Sequence, residues 1–140
     1  QAMFYDRSDV LFLSLHGDPR DEFPFFLGWA DEVGAGAGEG CNLNLPLPIG
    51  TGDDGWLAAI ESGIAAIRGF GADALVVSLG FDASEHEPLA ALRVTEDGFA
   101  RAGAAIRAIG MPTAIVQEGG YNIGLIGTLL ERFLTGWGGT

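Results

Sequence analysis

The chain has 140 residues, 48% of them apolar, enough for one domain with a packed core and too few for two ordinary ones. Its 19 acids outnumber seven bases, all of them Arg, and the net charge of -12 argues against nucleic acid or an anionic membrane surface as partner. Such a charge suits a cationic substrate, and equally it keeps an ordinary protein in solution.

The opening QAMFYDRSDV lacks the basic region and apolar core of a signal peptide. No apolar run approaches the roughly 20 residues of a spanning helix, so the cytoplasm is the expected location. VLFLSL (Val10 to Leu15) is a short continuous apolar run, as in a strand covered on both faces. From His16 to Cys41 periodicity disappears, which predicts a long loop rich in Gly, acids and aromatics; loops of that length are usually functional or mobile. Its GAGAGEG run (Gly34 to Gly40) has no strand before it, no helix after it and no Lys, so it is not a phosphate loop. Cys41 is the only cysteine, which rules out an intrachain disulfide or a cysteine-based zinc cluster.

NLNLPLP then predicts a short extended piece ended by its prolines. In DDGWLAAIESGIAAIRGF, Trp56, Ile60, Ile64 and Ile67 form one helical stripe, with Asp53 or Asp54 as cap. ALVVSL (Ala74 to Leu79) is a second buried strand, and the segment from Thr95 to Gly110 a helix with Thr95 as N-cap and Gly110 as stop. TAIVQ (Thr113 to Gln117) is a third strand and IGLIGTLLERFLTGW the last helix. Alternating strands and helices predict an α/β fold, a parallel sheet with flanking helices and right-handed crossovers. Residues 1–140 read as one domain.

Three segments follow the three strands: SLHGD, GFDASEHEP and QEGGY. In open parallel sheets ligands bind outside the carboxyl ends of the strands, so these loops locate a site at one sheet edge. Asp82 can ligate a metal there, cap the next segment or pair with an Arg. His16 and His86 can bind metal or act as bases, or be structural. Tyr121 can donate to an oxyanion or sit half-buried in the core. Gly119 and Gly120 allow positive φ and close backbone approach, for a ligand or for a plain turn. Phe23, Phe25, Phe26 and Trp29 either line an apolar channel or pin the loop to the core.

SLHGDP, FPFFLGWADEVGAGAGEGCNLNLPLP, VVSLGFDASEHEPL and IVQEGGYN, in that order, resemble the zinc-dependent deacetylase family of histone deacetylases and bacterial acetylpolyamine amidohydrolases. The resemblance runs from about Phe4 to Trp137, and EGGY with HGDP places it nearer the bacterial branch. It implies an arginase/deacetylase-like fold, present in part. It also implies Asp82 as a zinc ligand and Tyr121 as the catalytic group that polarises the scissile carbonyl. Phe23, before Pro24, Leu89 and Gly119 match the substrate channel. Ser14 and Leu15 match a monovalent-cation site for potassium or sodium, and Phe4, Arg7, Val10 and Cys41 match a second one.

The family's other two zinc ligands, from an Asp-x-His motif, and its paired water-activating histidines resemble nothing in these residues. The resemblance therefore implies the C-terminal portion of the fold, incomplete for catalysis by itself. The parent reaction is hydrolysis of an acetylated amine, acetyl-lysine or an acetylpolyamine; Leu89 stands where some polyamine-selective relatives place an acid. The alternative is a non-catalytic folded remnant that acts as a binding or assembly module. In either case the VLFLSL edge should be uncovered, so a homo-oligomer or association with a missing N-terminal half is expected.

Overall fold

The computed structural model describes residues 1–88 and 91–139. In it the short apolar runs are strands and the stretches with apolar residues every three or four positions are helices. After a 3-10 turn at Ala2–Phe4, the elements are β1 (Phe12–Gly17), β2 (Asn42–Leu47), α1 (Asp53–Phe70), β3 (Leu75–Leu79), α2 (Glu96–Arg107), β4 (Thr113–Gln117) and α3 (Ile123–Gly138). The class is α/β with parallel strands, as the alternation predicts.

The extended piece NLNLPLP is a complete strand. β2 pairs in parallel with β1 from Phe12↔Asn42 to Gly17↔Leu47, and this partner carries β1 beyond Leu15 to Gly17. Cys41 and Leu47 both turn their carbonyls toward β1, accepting from Phe12 and Asp18. By strand alternation Pro46, one position out of phase, points its nitrogen away, so its missing N–H breaks no bond of this ladder. Among the described residues the strands form two parallel pairs, β1–β2 and β3–β4, rather than the single sheet expected. Val76 and Val116 lie exposed on β3 and β4, a face that parallel sheets normally cover.

The core is built on aromatic contacts. Phe81, Phe99 and Phe133 are fully buried; Phe99 meets Trp56 edge-on at 5.3 Å and Phe81 at 5.6 Å between ring centroids. The α1 stripe contributes Trp56 and Ile60, with Leu57 beside them and Ile64 packed at the margin. Neither Asp53 nor Asp54 caps α1, whose N-cap is Gly52. Asp53 instead accepts from the Thr95 N–H at 2.8 Å and hydroxyl at 2.6 Å, tying the start of α1 to the start of α2. Thr95 caps α2 as expected, accepting from the Gly98 N–H. That helix ends at Arg107, before Gly110.

The long loop is anchored rather than loose. Glu32 accepts from the N–H groups of Gly28 and Trp29, and the buried Asn42 and Asn44 of β2 donate to the carbonyls of Glu32 and Trp29. His16 bridges Ser14 and Gly28, at 2.8 Å to each. The Gly28 carbonyl can only accept, so Nε2 carries the proton, and in the neutral ring Nδ1 accepts from the Ser14 hydroxyl. At the loop's start Asp18 is buried and accepts from the Arg20 backbone and guanidinium.

α2 and α3 approach through glycine. A Cβ on Gly136 would lie 1.8 Å from the Ala100 carbonyl oxygen, and one on Gly103 would lie 2.2 Å from that of Phe133. Backbone cannot yield as a side chain can. Gly136→Ala should gain about 1 kcal/mol in helix propensity and lose about 1–3 kcal/mol or more to overpacking, for a net loss. Gly127→Ala on the same helix meets nothing within 4 Å and should stabilise by about 0.5–1 kcal/mol. Urea unfolding of both variants checks the contrast; equal shifts would contradict the close approach.

A pH dependence follows from Asp18. Hydrogen bonds from Arg20 lower its pKa from 3.8 to about 2. A folded value below the unfolded one means that the pair stabilises the fold above pH 3.8 and that this contribution is lost as pH falls toward the folded value. Arg20→Ala should move the Asp18 midpoint back up toward 3.8, as read by carboxyl chemical shift. A midpoint that stays near 2 in the variant would show that Arg20 is not the cause.

Candidate functional site

β3 and β4 end together, and their pairing continues past the strand ends. Leu79 opposes Gln117, the Glu118 N–H donates to the Leu79 carbonyl, and the Phe81 N–H donates to the Gly119 carbonyl at 2.8 Å. The GFD and EGG loops therefore run side by side. Phe81 is locked into the core, which turns its neighbour Asp82 outward at the strand-end edge.

The carboxylate of Asp82 sits in space that two glycines leave open. A Cβ on Gly80 would lie 2.6 Å from its Oδ1, and one on Gly119 would lie 2.5 Å from its Oδ2. Although the residue stands exposed as a whole, burial of the carboxylate raises its pKa above the ordinary value, and the charge of Glu87 adds to the shift. The two glycines beside Tyr121 divide the functions their sequence allowed. Gly119 provides the close approach, and Gly120, with φ 134°, makes the turn that a Cβ would oppose. Tyr121 follows and is 65% exposed, a surface residue rather than a half-buried one.

The loop carrying Asp82 is held on several sides. Val94 donates to the Ala83 carbonyl, Glu85 donates to the Val94 carbonyl, and Ser84 donates to that of Phe81. Glu87 is 5% exposed. Its Oε1 accepts from the Tyr121 N–H at 2.9 Å and its Oε2 from the Asn122 N–H at 3.2 Å. The Asn122 amide in turn donates to the His86 carbonyl. His86 itself is exposed beside Glu85, at 3.8 Å.

The end of β1 reaches the same edge. The Glu22 carboxylate packs over Gly17, where a Cβ would lie 1.7 Å from its Oε2 and 2.8 Å from the Ala91 Cβ. Burial, reinforced by Asp82, raises the Glu22 pKa, while the backbone of Ala91 and Gly17 partly offsets it. Next to Glu22 the chain turns through a cis Phe23-Pro24 bond. Phe23 is 80% exposed, and Phe25 and Phe26 are exposed as well. These rings do not pin the loop to the core. That work falls to Glu32, His16 and the two asparagines, and His16 is structural.

The remaining expected positions are dispersed along β1 and its approach. Ser14 and Leu15 lie within β1, opposite Asn44 and Leu45. The Phe4 carbonyl accepts from the Arg7 N–H and the Cys41 carbonyl from the Phe12 N–H. The Arg7 side chain pairs with Asp9, and Val10 precedes β1. Leu89 lies outside the described residues. Among the described residues no group of three or more His, Cys, Asp or Glu could hold a metal ion. Asp82 places one carboxylate at this edge that can serve as a metal donor.

Glu87 and Glu22 are the site residues that sequence reasoning missed. Neither belongs to a periodic pattern. The available signal for Glu87 was an acid in a strand-end loop, where the first N–H groups of a helix lack partners.

The chain is similar to known proteins in sequence and in structure. Residues 1–136 match the histone deacetylase domain family. Acetylpolyamine amidohydrolase 1 of Pseudomonas aeruginosa is 48% identical over 139 residues, covering 99% of this chain and 40% of the relative. The acetylpolyamine amidohydrolase of Mycoplana ramosa is 43% identical, with 99% and 41% covered. The crystal structure of an acetylpolyamine aminohydrolase from Burkholderia pseudomallei superposes with a TM-score of 0.94 at 44% identity, over 96% of this chain and 40% of that one. An HDAC homologue solved in complex with SAHA gives 0.87 at 33% identity, over 97% and 38%. The chain spans about 40% of the length of the curated relatives it matches. With the family match running over nearly every residue that builds the shared strand-end edge, the chain belongs to the histone deacetylase domain family.

Proposed function

We propose that this chain supplies the aspartate and the tyrosine of a zinc-dependent amidohydrolase that removes acetyl groups from acetyl-lysine or acetylpolyamine-type substrates. What supports the reading is the meeting of Asp82, Gly119 and Tyr121 on adjacent loops at one sheet edge, in a chain of this family. Zinc, when bound, supplies Lewis-acid polarisation of the amide and an acidified water. Asp82 is one of its ligands. The Tyr121 hydroxyl donates to the carbonyl oxygen as negative charge develops on it. Phe23 presents an exposed apolar wall of the substrate channel, the family pattern assigns Leu89 to the same channel, and Gly119 lets backbone approach the substrate. Ser14 and Leu15 hold potassium or sodium, and Phe4, Arg7, Val10 and Cys41 hold a second such ion.

The chain by itself lacks turnover, because Asp82 is one donor of the several required. A second reading is a non-catalytic binding or assembly module; the uncovered Val76 and Val116 face favours it. In both readings a homo-oligomer or an N-terminal half covers that face, and the excess of acid argues against nucleic acid or an anionic membrane surface as partner. No helix among the described residues is long and apolar enough to cross a membrane, and the cytoplasm is the proposed location.

A chimera tests the enzyme reading. This chain, grafted in place of the matching segment of the Pseudomonas aeruginosa relative, should release acetate from an acetylated amine. Asp82→Ala should abolish zinc binding together with turnover, and Tyr121→Phe should lower kcat by about 100–1000-fold. Gly119→Ala, whose methyl lies 2.5 Å from the Asp82 carboxylate, should weaken zinc binding while leaving the fold intact. A folded, zinc-loaded chimera whose turnover is indifferent to Asp82→Ala would sink the reading.

A further inference from the structure

We infer that Glu87 is a positioning residue for Tyr121. The inference rests on the proposed role of that tyrosine and adds what holds it in place.

Tyr121 has little of its own to fix it. It is 65% exposed, between the positive-φ Gly120 and Asn122 at the start of α3. The Tyr121 and Asn122 N–H groups lie just before α3, whose N-cap is Asn122, and so have no partner within that helix. Glu87 is their acceptor. Its two oxygens take the N–H groups of Tyr121 and Asn122 separately, at 2.9 and 3.2 Å, and a pair of charge-assisted bonds to adjacent amides fixes the direction of the backbone as well as its place.

The bracket is itself rigid. Glu87 is 5% exposed, and its own N–H donates to the carbonyl of the buried Ser84. Ser84 and its neighbours are pinned to Val94, which is fully buried. The same five-residue loop begins just after Asp82. Together with the Phe81–Gly119 hydrogen bond, this carboxylate holds the tyrosine in place relative to the aspartate.

A fluorine label tests this in the chain as it stands, independently of turnover. The chain has two tyrosines, Tyr5 and Tyr121, so 3-fluorotyrosine gives two resolvable resonances. Glu87→Gln keeps the shape but turns a donor toward one amide; Glu87→Asp keeps the charge and withdraws its reach. In both variants the Tyr121 resonance should shift or broaden while Tyr5 holds. The Tyr121 and Asn122 amides should exchange about tenfold faster, with far-UV circular dichroism unchanged. A Tyr121 resonance of wild-type frequency and width in a folded variant overturns the inference. If one variant unfolds, the other decides. Should the chimera fail to release acetate while these variants still move Tyr121, the proposed chemistry fails and the positioning stands.

Discussion

Two parallel strands that stop at the same register, and whose hydrogen bonds nevertheless continue, are the constraint on which the site depends. Leu79 and Gln117 are the last paired residues, yet Glu118 and Phe81 prolong the ladder into the loops. A parallel ladder fixes the relative height of everything bonded to it. Asp82 and Tyr121 come from loops 39 positions apart in sequence and are brought to one edge because those loops behave as a short continuation of the sheet. The aromatic stack beneath, from Phe81 through Phe99 to Trp56, carries the edge on the helices.

The acidic composition has a use inside the molecule. Asp18, Glu32, Asp53 and Glu87 each accept from backbone N–H groups that would otherwise lack partners. Solubility and a cationic substrate were the two meanings that composition suggested, and neither describes these four. Asp18 and Glu32 fold the long loop on itself, whereas Asp53 and Glu87 bracket segments far apart in the chain. Charge-assisted bonds to backbone are stronger than neutral ones, which suits loops that carry few apolar side chains. Glycine does the complementary work of leaving space, at Gly119 for a carboxylate and at Gly136 for a neighbouring helix.

Much of the framework was legible from local pattern. The bounds of α1 and β4 follow directly from apolar spacing, and Thr95 is the cap its position suggested. The second strand was legible only as a short extended piece: Leu43, Leu45 and Leu47 alternate with polar or imino residues, but the prolines suggested an early end. It forms because β1 offers a full set of partners and the long loop offers carbonyls to Asn42 and Asn44. At the site, GFD and EGGY pointed to Asp82, Gly119 and Tyr121, and the strand-end rule placed them together. Glu87 and Glu22 act through backbone amides distant in sequence, so no spacing could announce them. The exposure of Phe23 and Tyr121 depends on which loops carry anchors, a property of the folded arrangement.

Pro46 has a consequence for how the β1–β2 pair can grow. The carbonyls of Cys41 and Leu47 face β1, so the backbone groups of Asn42, Asn44 and Pro46 face the opposite side. A strand seeking to add beside β2 meets a position with no hydrogen to offer, at the last of its three outward-facing residues. Beside β1 the N–H groups of Leu11, Leu13, Leu15 and Gly17 form an uninterrupted row on the outer side. The pair is polarised: extension is favoured along one flank and penalised along the other. A single imino acid thus gives this small sheet a direction of assembly.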